Sequence, residues 1–301
     1  MSLAQVGWHG VDALVLESPS IRVVVLPGLG ARVASLVDRR TGKEWLQQPR
    51  SGSLGPAPAA GTRFVDTDHF GWDEMFPTVD PCPFPDEALP GVELCDHGAL
   101  WAVPWEVLDA SAEACTLRVE TELPDFSLTR RLALRGAVLR AEYELVSRSD
   151  RTLPTLWAAH PQFDAVGARL RIEPSPRSLV DVTAGDVAVE VPYVGGLEVP
   201  RDVTSGGDAM LYLPPGEPFE RAVLETGDGQ SLTWSNDTET CPYLGLWLDR
   251  GRHTTGEVVA IEPSTSYYDA LDRAVRLGRA RHVGPGEAVT WWVEVELGRA
   301  R

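Results

Sequence analysis

Val138-Leu139-Arg140-Ala141-Glu142-Tyr143-Glu144-Leu145-Val146 alternates apolar and charged side chains without a break. Leu139, Ala141, Tyr143 and Leu145 fall on one side of an extended chain, with Arg140, Glu142 and Glu144 on the other. Successive Cβ atoms of a strand point to opposite faces, so this period of two marks a strand with one buried face. Similar segments extend in both directions. In Ser127 to Leu134, Leu128, Leu132 and Leu134 share a face that Arg130 interrupts. Ile21 to Leu26 ends at Pro27-Gly28, and Val33 to Val37 ends before Arg40-Thr41-Gly42. Cys115 to Thr121, Ala222 to Glu225, Ser231 to Ser235, Tyr243 to Leu248, Val258 to Glu262 and Val289 to Leu297 are further strand candidates. With 28 Gly and 24 Pro among 301 residues, turns are dense and long helices have little room.

One short helix is expected after Glu262, capped by Ser266, with Asp269 in its first turn and Ala270, Leu271 and Ala274 on one face. Ser51 to Gly61 is rich in Gly, Pro and Ala and reads as a surface loop. Phe70 to Pro90 also reads as loop, yet it is crowded with aromatic and acidic residues, unusual for a connector. Many short strands and little helix predict one all-β domain of sandwich or barrel type over residues 1–301.

A formal charge of −17 argues against a nucleic-acid backbone or an anionic membrane as partner. No apolar run reaches membrane-spanning length, and Met1 to Gly10 lacks a basic segment followed by an apolar stretch. Cys82, Cys95, Cys115 and Cys241 are scattered, with no C-x-x-C pair, and are expected to be free thiols. The expectation is a soluble cytoplasmic protein.

Two ionisable residues close apolar runs. Val258-Val259-Ala260-Ile261 leads to Glu262 and Pro263, and Leu156-Trp157-Ala158-Ala159 leads to His160 and Pro161. Both sites read as strand ends where proline stops the ladder. A buried carboxylate there must be paired or protonated, and desolvation raises its pKa toward the range of a general base. The alternatives are a solvated strand-end Glu262 and a core His160 held by a carbonyl. His97, in Asp96-His97-Gly98 with Trp101 and Trp105 nearby, suits a carbohydrate site, where indoles pack on a sugar's apolar face. Its alternative is a tight turn above an aromatic core. His69 is ambiguous, whereas His9, His253 and His282 read as solvated. In Asp73-Glu74 neighbouring side chains point to opposite faces, so one of the two serves a site and the other does not. The sequence has no G-x-S-x-G, phosphate-loop or dinucleotide fingerprint, and its histidines are too dispersed for a zinc motif.

The order of these elements resembles the aldose 1-epimerase (galactose mutarotase-like) superfamily over nearly the whole chain. The resemblance is carried by Leu26 to Leu36, Phe70-Gly71-Trp72-Asp73-Glu74-Met75-Phe76-Pro77, His97-Gly98 with Pro104-Trp105-Glu106, His160-Pro161, Tyr243 to Trp247 with Ile261-Glu262-Pro263, and Gly284-Pro285-Gly286-Glu287. It implies a large antiparallel β-sandwich with few short helices, and a concave face that binds a sugar. It further implies an isomerase that interconverts sugar anomers without a cofactor or metal, as a monomer or homodimer. His160 matches the family's general acid, Glu262 its general base and His97 a substrate-binding histidine. Asp73, Trp247, Arg32 and Arg63 are further substrate-binding candidates. The chain lacks the family's Asn-Arg pair, has His97-Gly98-Ala99 in place of His-Gly-Gly, and continues His160 with Pro161-Gln162-Phe163. Competing expectations are a sugar-phosphate 1-epimerase drawing on Arg22, Arg32, Arg39, Arg40 or Arg63, a non-catalytic carbohydrate-binding protein, and a lyase or hydrolase relative.

Overall fold

The computed structural model describes residues 6–50, 52–54, 57–59, 61–87, 89–122, 124–183, 188–198 and 207–300. Among these the chain forms two large antiparallel sheets, two small two-stranded ones, one six-residue helix and two 3-10 turns. The twelve-stranded sheet runs from Val6–Trp8 through Arg32–Asp38, Trp72–Met75, Ala158–Asp164, Glu257–Ser264, Tyr243–Arg250 and Asp208–Tyr212 to Val189–Pro192. The nine-stranded sheet has Asp125–Arg135, Val138–Ser147 and Ala288–Arg299 near its middle, and the Val138–Ser147 strand is the alternating segment. No helix of the described residues is long and apolar enough to cross a membrane. All four cysteines are free.

The period of two builds the core. Leu244, Leu246 and Leu248 of one sheet share a hydrophobic cluster with Leu132, Trp234, Trp291 and Val293 of the other. Trp234 meets Trp72 and Phe163 across the interface, at ring-centroid distances of 5.2 and 6.2 Å. Burial of each such side chain contributes about 1.5–3 kcal/mol.

Arg130, the break in an otherwise apolar face, is fully buried. Its guanidinium donates to Glu74 at 2.6 Å and to the carbonyl of Ala31. Glu74 also accepts from the Tyr143 hydroxyl at 2.9 Å and the Trp157 indole at 2.8 Å. Burial raises the Glu74 carboxyl above its usual range, and Arg130, Tyr143 and Trp157 oppose that rise. Arg130 therefore completes the pattern, since its partner faces it from the other sheet.

Several expectations need correction. Trp72–Met75 is an interior strand of the twelve-stranded sheet, not a loop. Its period was hidden because Asp73 and Glu74 are both fully buried. The helix covers Leu271–Arg276 with Ala270 at its N-cap, so it starts later than expected. Ser266 cannot cap it, because its hydroxyl donates to Thr155 and accepts from the Arg281 amide. His160-Pro161 and Glu262-Pro263 lie inside their strands rather than ending them. The ladder between those two strands skips Ala159 to Pro161 and resumes at Gln162, so the proline interrupts pairing on one side only. In the stretch 51–61, residues 51, 55, 56 and 60 lie outside the described set, and the others carry no strand or helix. Residues 1–5 of the N-terminal segment also lie outside it.

Removing one partner of a buried ion pair leaves an uncompensated charge, which costs about 3–5 kcal/mol. R130M should therefore lower unfolding free energy by about that amount in urea titrations, and E74M/R130M should recover part of the loss. A single variant within about 1 kcal/mol of the parent would show that Glu74 is adequately held by Tyr143 and Trp157 alone.

Candidate active site

The face of the twelve-stranded sheet away from the core carries the polar residues. Tyr212, Gly245 and Glu262 are register partners across three adjacent strands, as are Met210, Trp247 and Ala260. On the next two strands His160 is opposite Asp73. Leu246 and Ile261 point into the core, so alternation sends Trp247 and Glu262 outward. A Cβ at Gly245 would approach Glu262 Oε2 to 3.3 Å and Met210 Cε to 2.9 Å, so the missing side chain makes room for the carboxylate.

Loops wall this face into a cleft of about 290 Å³, the lower end of the range for small-molecule sites. The amides of Val79 and Asp80 both donate to the Asp269 carbonyl, and the His97 amide donates to that of Val79. His97 has a φ of 59° and Gly98 one of 68°. A Cβ on Gly98 would sit 1.8 Å from the Phe76 carbonyl oxygen, so the His-Gly dipeptide has a steric basis. Phe64 occupies the centre of one wall. Its ring stacks on His97 at 4.1 Å and meets His69 and His160 edge-on at 4.8 and 5.1 Å.

Within the cleft His160 Nε2 lies 3.6 Å from Glu262 Oε1, and the two residues are 4% and 3% exposed. Burial pushes the Glu262 carboxyl well above its usual 4.5, and Asp80 adds to the rise. Burial also pushes His160 well below its usual 6.5, helped by His97 and His69. Both shifts favour uncharged groups, as expected where water is excluded. His97 Nδ1 donates to the Asp96 carboxylate at 2.8 Å, and Trp247 faces His160 at 5.7 Å.

The other predicted site residues are placed differently. Asp73 is fully buried behind His160, where Arg32 Nε donates to its Oδ1 at 2.6 Å, and neither residue lines the cleft. Arg32 opens instead on a neighbouring hollow with Phe70 and Trp101. Arg63 is exposed, next to Phe64, and also does not line the cleft. The cleft adds residues that sequence reading missed. His253, read as solvated, is half-buried on the wall, with His69 at 5.8 Å and Trp247 at 6.1 Å. Its turn is folded inward by Asp249, which accepts from the amides of Gly251, Arg252, His253 and Thr254. Asp80 and Asp269 join from the loops, and only the aromatic and acidic crowding of Phe70 to Pro90 hinted at the first of them. No group of His, Cys, Asp and Glu among the described residues could hold a metal ion.

No family model matches the sequence, and neither does any curated protein. Solved structures do match. The Slr1438 protein from Synechocystis sp. PCC 6803 is 21% identical, with a TM-score of 0.75 over 99% of this chain and 100% of its own. A galactose mutarotase related enzyme from Lactobacillus acidophilus is 17% identical, with a TM-score of 0.72 over 96% and 98%. The GalM/aldose epimerase homologue from C. elegans is 13% identical, with a TM-score of 0.69 over 96% and 100%. At these identities the likeness is one of fold. The chain has the galactose mutarotase-like β-sandwich fold.

His69 lowers the fold's tolerance of acid. Burial, with His253 and His97, pushes its pKa down to about 4. The unfolded chain therefore binds more protons than the native one between that value and the usual 6.5, so stability falls as pH drops through this window. The slope per group is at most about 1.4 kcal/mol per pH unit. H69Q should flatten the dependence of urea midpoint on pH over this range, and an unchanged slope would show that His69 is not held neutral.

Proposed function

We propose that the protein is an isomerase of the aldose 1-epimerase type, with Glu262 as general base and His160 as general acid. The observation that carries this reading is the 3.6 Å approach of His160 Nε2 to Glu262 Oε1 inside a cleft with an aromatic wall. A sugar placed there meets a carboxylate and an imidazole together, and Trp247 and Phe64 offer ring faces to its C–H surface.

In the ring-opening step Glu262 takes the proton of the anomeric hydroxyl while His160 protonates the ring oxygen. The bond from C1 to the ring oxygen breaks and the open aldehyde forms. Rotation about C1–C2 presents the other carbonyl face. Reclosure then returns one proton from Glu262 to the former carbonyl oxygen and one from the sugar hydroxyl to His160. The pair carries a single proton throughout. Before opening it is an ion pair, and after opening both groups are neutral. The low-dielectric cleft, which raises Glu262 and lowers His160, thus stabilises the pair in the form it takes beside the open-chain sugar. The same burial opposes the ion-paired start, and hydroxyls of a bound sugar can offset that cost by hydrogen bonding to the charged groups.

E262Q and H160A should each reduce anomer exchange, followed by saturation-transfer NMR, by about 10²–10⁴-fold with the fold retained. Exchange at the parent rate in E262Q would remove Glu262 from the base role. The one-proton state persists between the lowered His160 pKa and the raised Glu262 pKa. The acid limb of kcat/KM should therefore lie below pH 6.5 and the alkaline limb far above pH 4.5. A limb at the ordinary histidine value, abolished by H160A, would show that His160 titrates as a solvated group.

A further inference from the structure

Three aspartates line the cleft, Asp80 and Asp269 beside each other and Asp208 beside His253, and Arg273 is the arginine among its lining residues. Arg273 Nη1 donates to both oxygens of Asp269 at 3.0 Å. Asp208 is 2.5 Å from Arg252, outside the cleft lining, and 3.4 Å from His253. Asp80 lies at the cleft edge, where burial and the neighbouring Asp96 push its carboxyl up while His97 and Arg273 pull it down. Thr78 and Asp269 engage only its backbone. Mutual repulsion is felt within the group: burial first, and then Asp80, push Asp269 up to about 6. Among the described residues the cleft also holds buried imidazole nitrogens short of partners: His160, 4% exposed, has none for Nδ1, and His69, 2% exposed, has at most the Val65 backbone.

Apart from Arg273, which engages Asp269, the arginines considered for a phosphate site lie outside the cleft lining. Arg32 is paired with Asp73, Arg40 with Asp38, and Arg22 and Arg39 face Glu17. A phosphorylated or carboxylated sugar would bring a negative charge among like charges in a water-poor cleft, which is costly. A positive charge would relieve the crowding of Asp80 and Asp269.

On the reading of this cleft as a sugar site, we infer that its preferred ligand is an amino sugar, with the sugar ammonium held between Asp80 and Asp269 and the anomeric end at His160 and Glu262. The ammonium supplies three N–H donors to two carboxylates, whereas a hydroxyl supplies one and leaves their charges uncompensated. N-acetylation removes the charge and adds bulk, so the acetylated sugar forfeits the preference.

The test measures binding and anomer exchange together, by NMR at neutral pH, on the full chain. Probes are glucosamine, galactosamine, their neutral parents glucose and galactose, N-acetylglucosamine and glucose 6-phosphate. At least one hexosamine should bind about tenfold or more tightly than its parent, glucose 6-phosphate should bind more weakly than glucose, and D80N should erase most of the hexosamine advantage. D80E, which keeps the charge, should retain it. Equal binding of hexosamine and parent, tighter binding of the phosphate, or an advantage untouched by D80N overturns the inference. Anomer exchange of neutral hexoses in that event leaves the epimerase reading standing. Tight hexosamine binding without exchange upholds the inference and rejects the epimerase reading. Binding of none of the sugars rejects both.

Discussion

The carboxylate of Glu74 ties the two sheets together. It is buried from water and held by Arg130 and Tyr143 of the nine-stranded sheet and by Trp157 from the chain entering the Ala158–Asp164 strand. A charge in that position is tolerated only because its donors come from both sides of the interface, so it sets how the sheets sit against each other. Asp73, one residue earlier, necessarily faces the other way. It lies beneath the cleft, opposite His160 in the ladder and bound to Arg32. Two adjacent acids thus serve the interior and the support of the site, each with its own arginine.

The outer face of the same sheet turns a structural regularity into a chemical one. Alternation that buries Leu246 and Ile261 must send Trp247 and Glu262 outward, and loops from elsewhere in the chain roof them over. Enclosure then changes their chemistry. Water that would stabilise a carboxylate or an imidazolium is displaced by Phe64, Trp247 and their neighbours, and both groups move toward their neutral forms. Their 3.6 Å approach in this enclosure is the geometry on which the proposed proton exchange with a sugar rests.

Most of the fold is legible in local pattern. The strands from Cys115 to Val146 and from Tyr243 to Glu262 are visible because one face of each is apolar, and the structure extends them by only a few residues. Trp72–Met75 escaped because both of its acids are buried, so hydrophobicity carries no period there. The helix start escaped because Ser266 spends its hydroxyl on Thr155 and Arg281, partners 111 and 15 residues away. The turn at His253 looked solvated for a similar reason, since nothing local shows that Asp249 folds it inward against Trp247.

The sequence by itself determined the all-β architecture and marked His160, Glu262 and His97 as ionisable groups worth attention. Alternation, turn residues and apolar runs are properties of neighbouring residues, and neighbours are what a sequence displays. Only the tertiary structure decided that His160 and Glu262 meet, that Asp73 and Arg32 pair behind the cleft, and that Asp80, Asp269, His69 and His253 complete its walls. Those contacts join residues tens to hundreds of positions apart, and their energies depend on how much water the assembled cleft excludes.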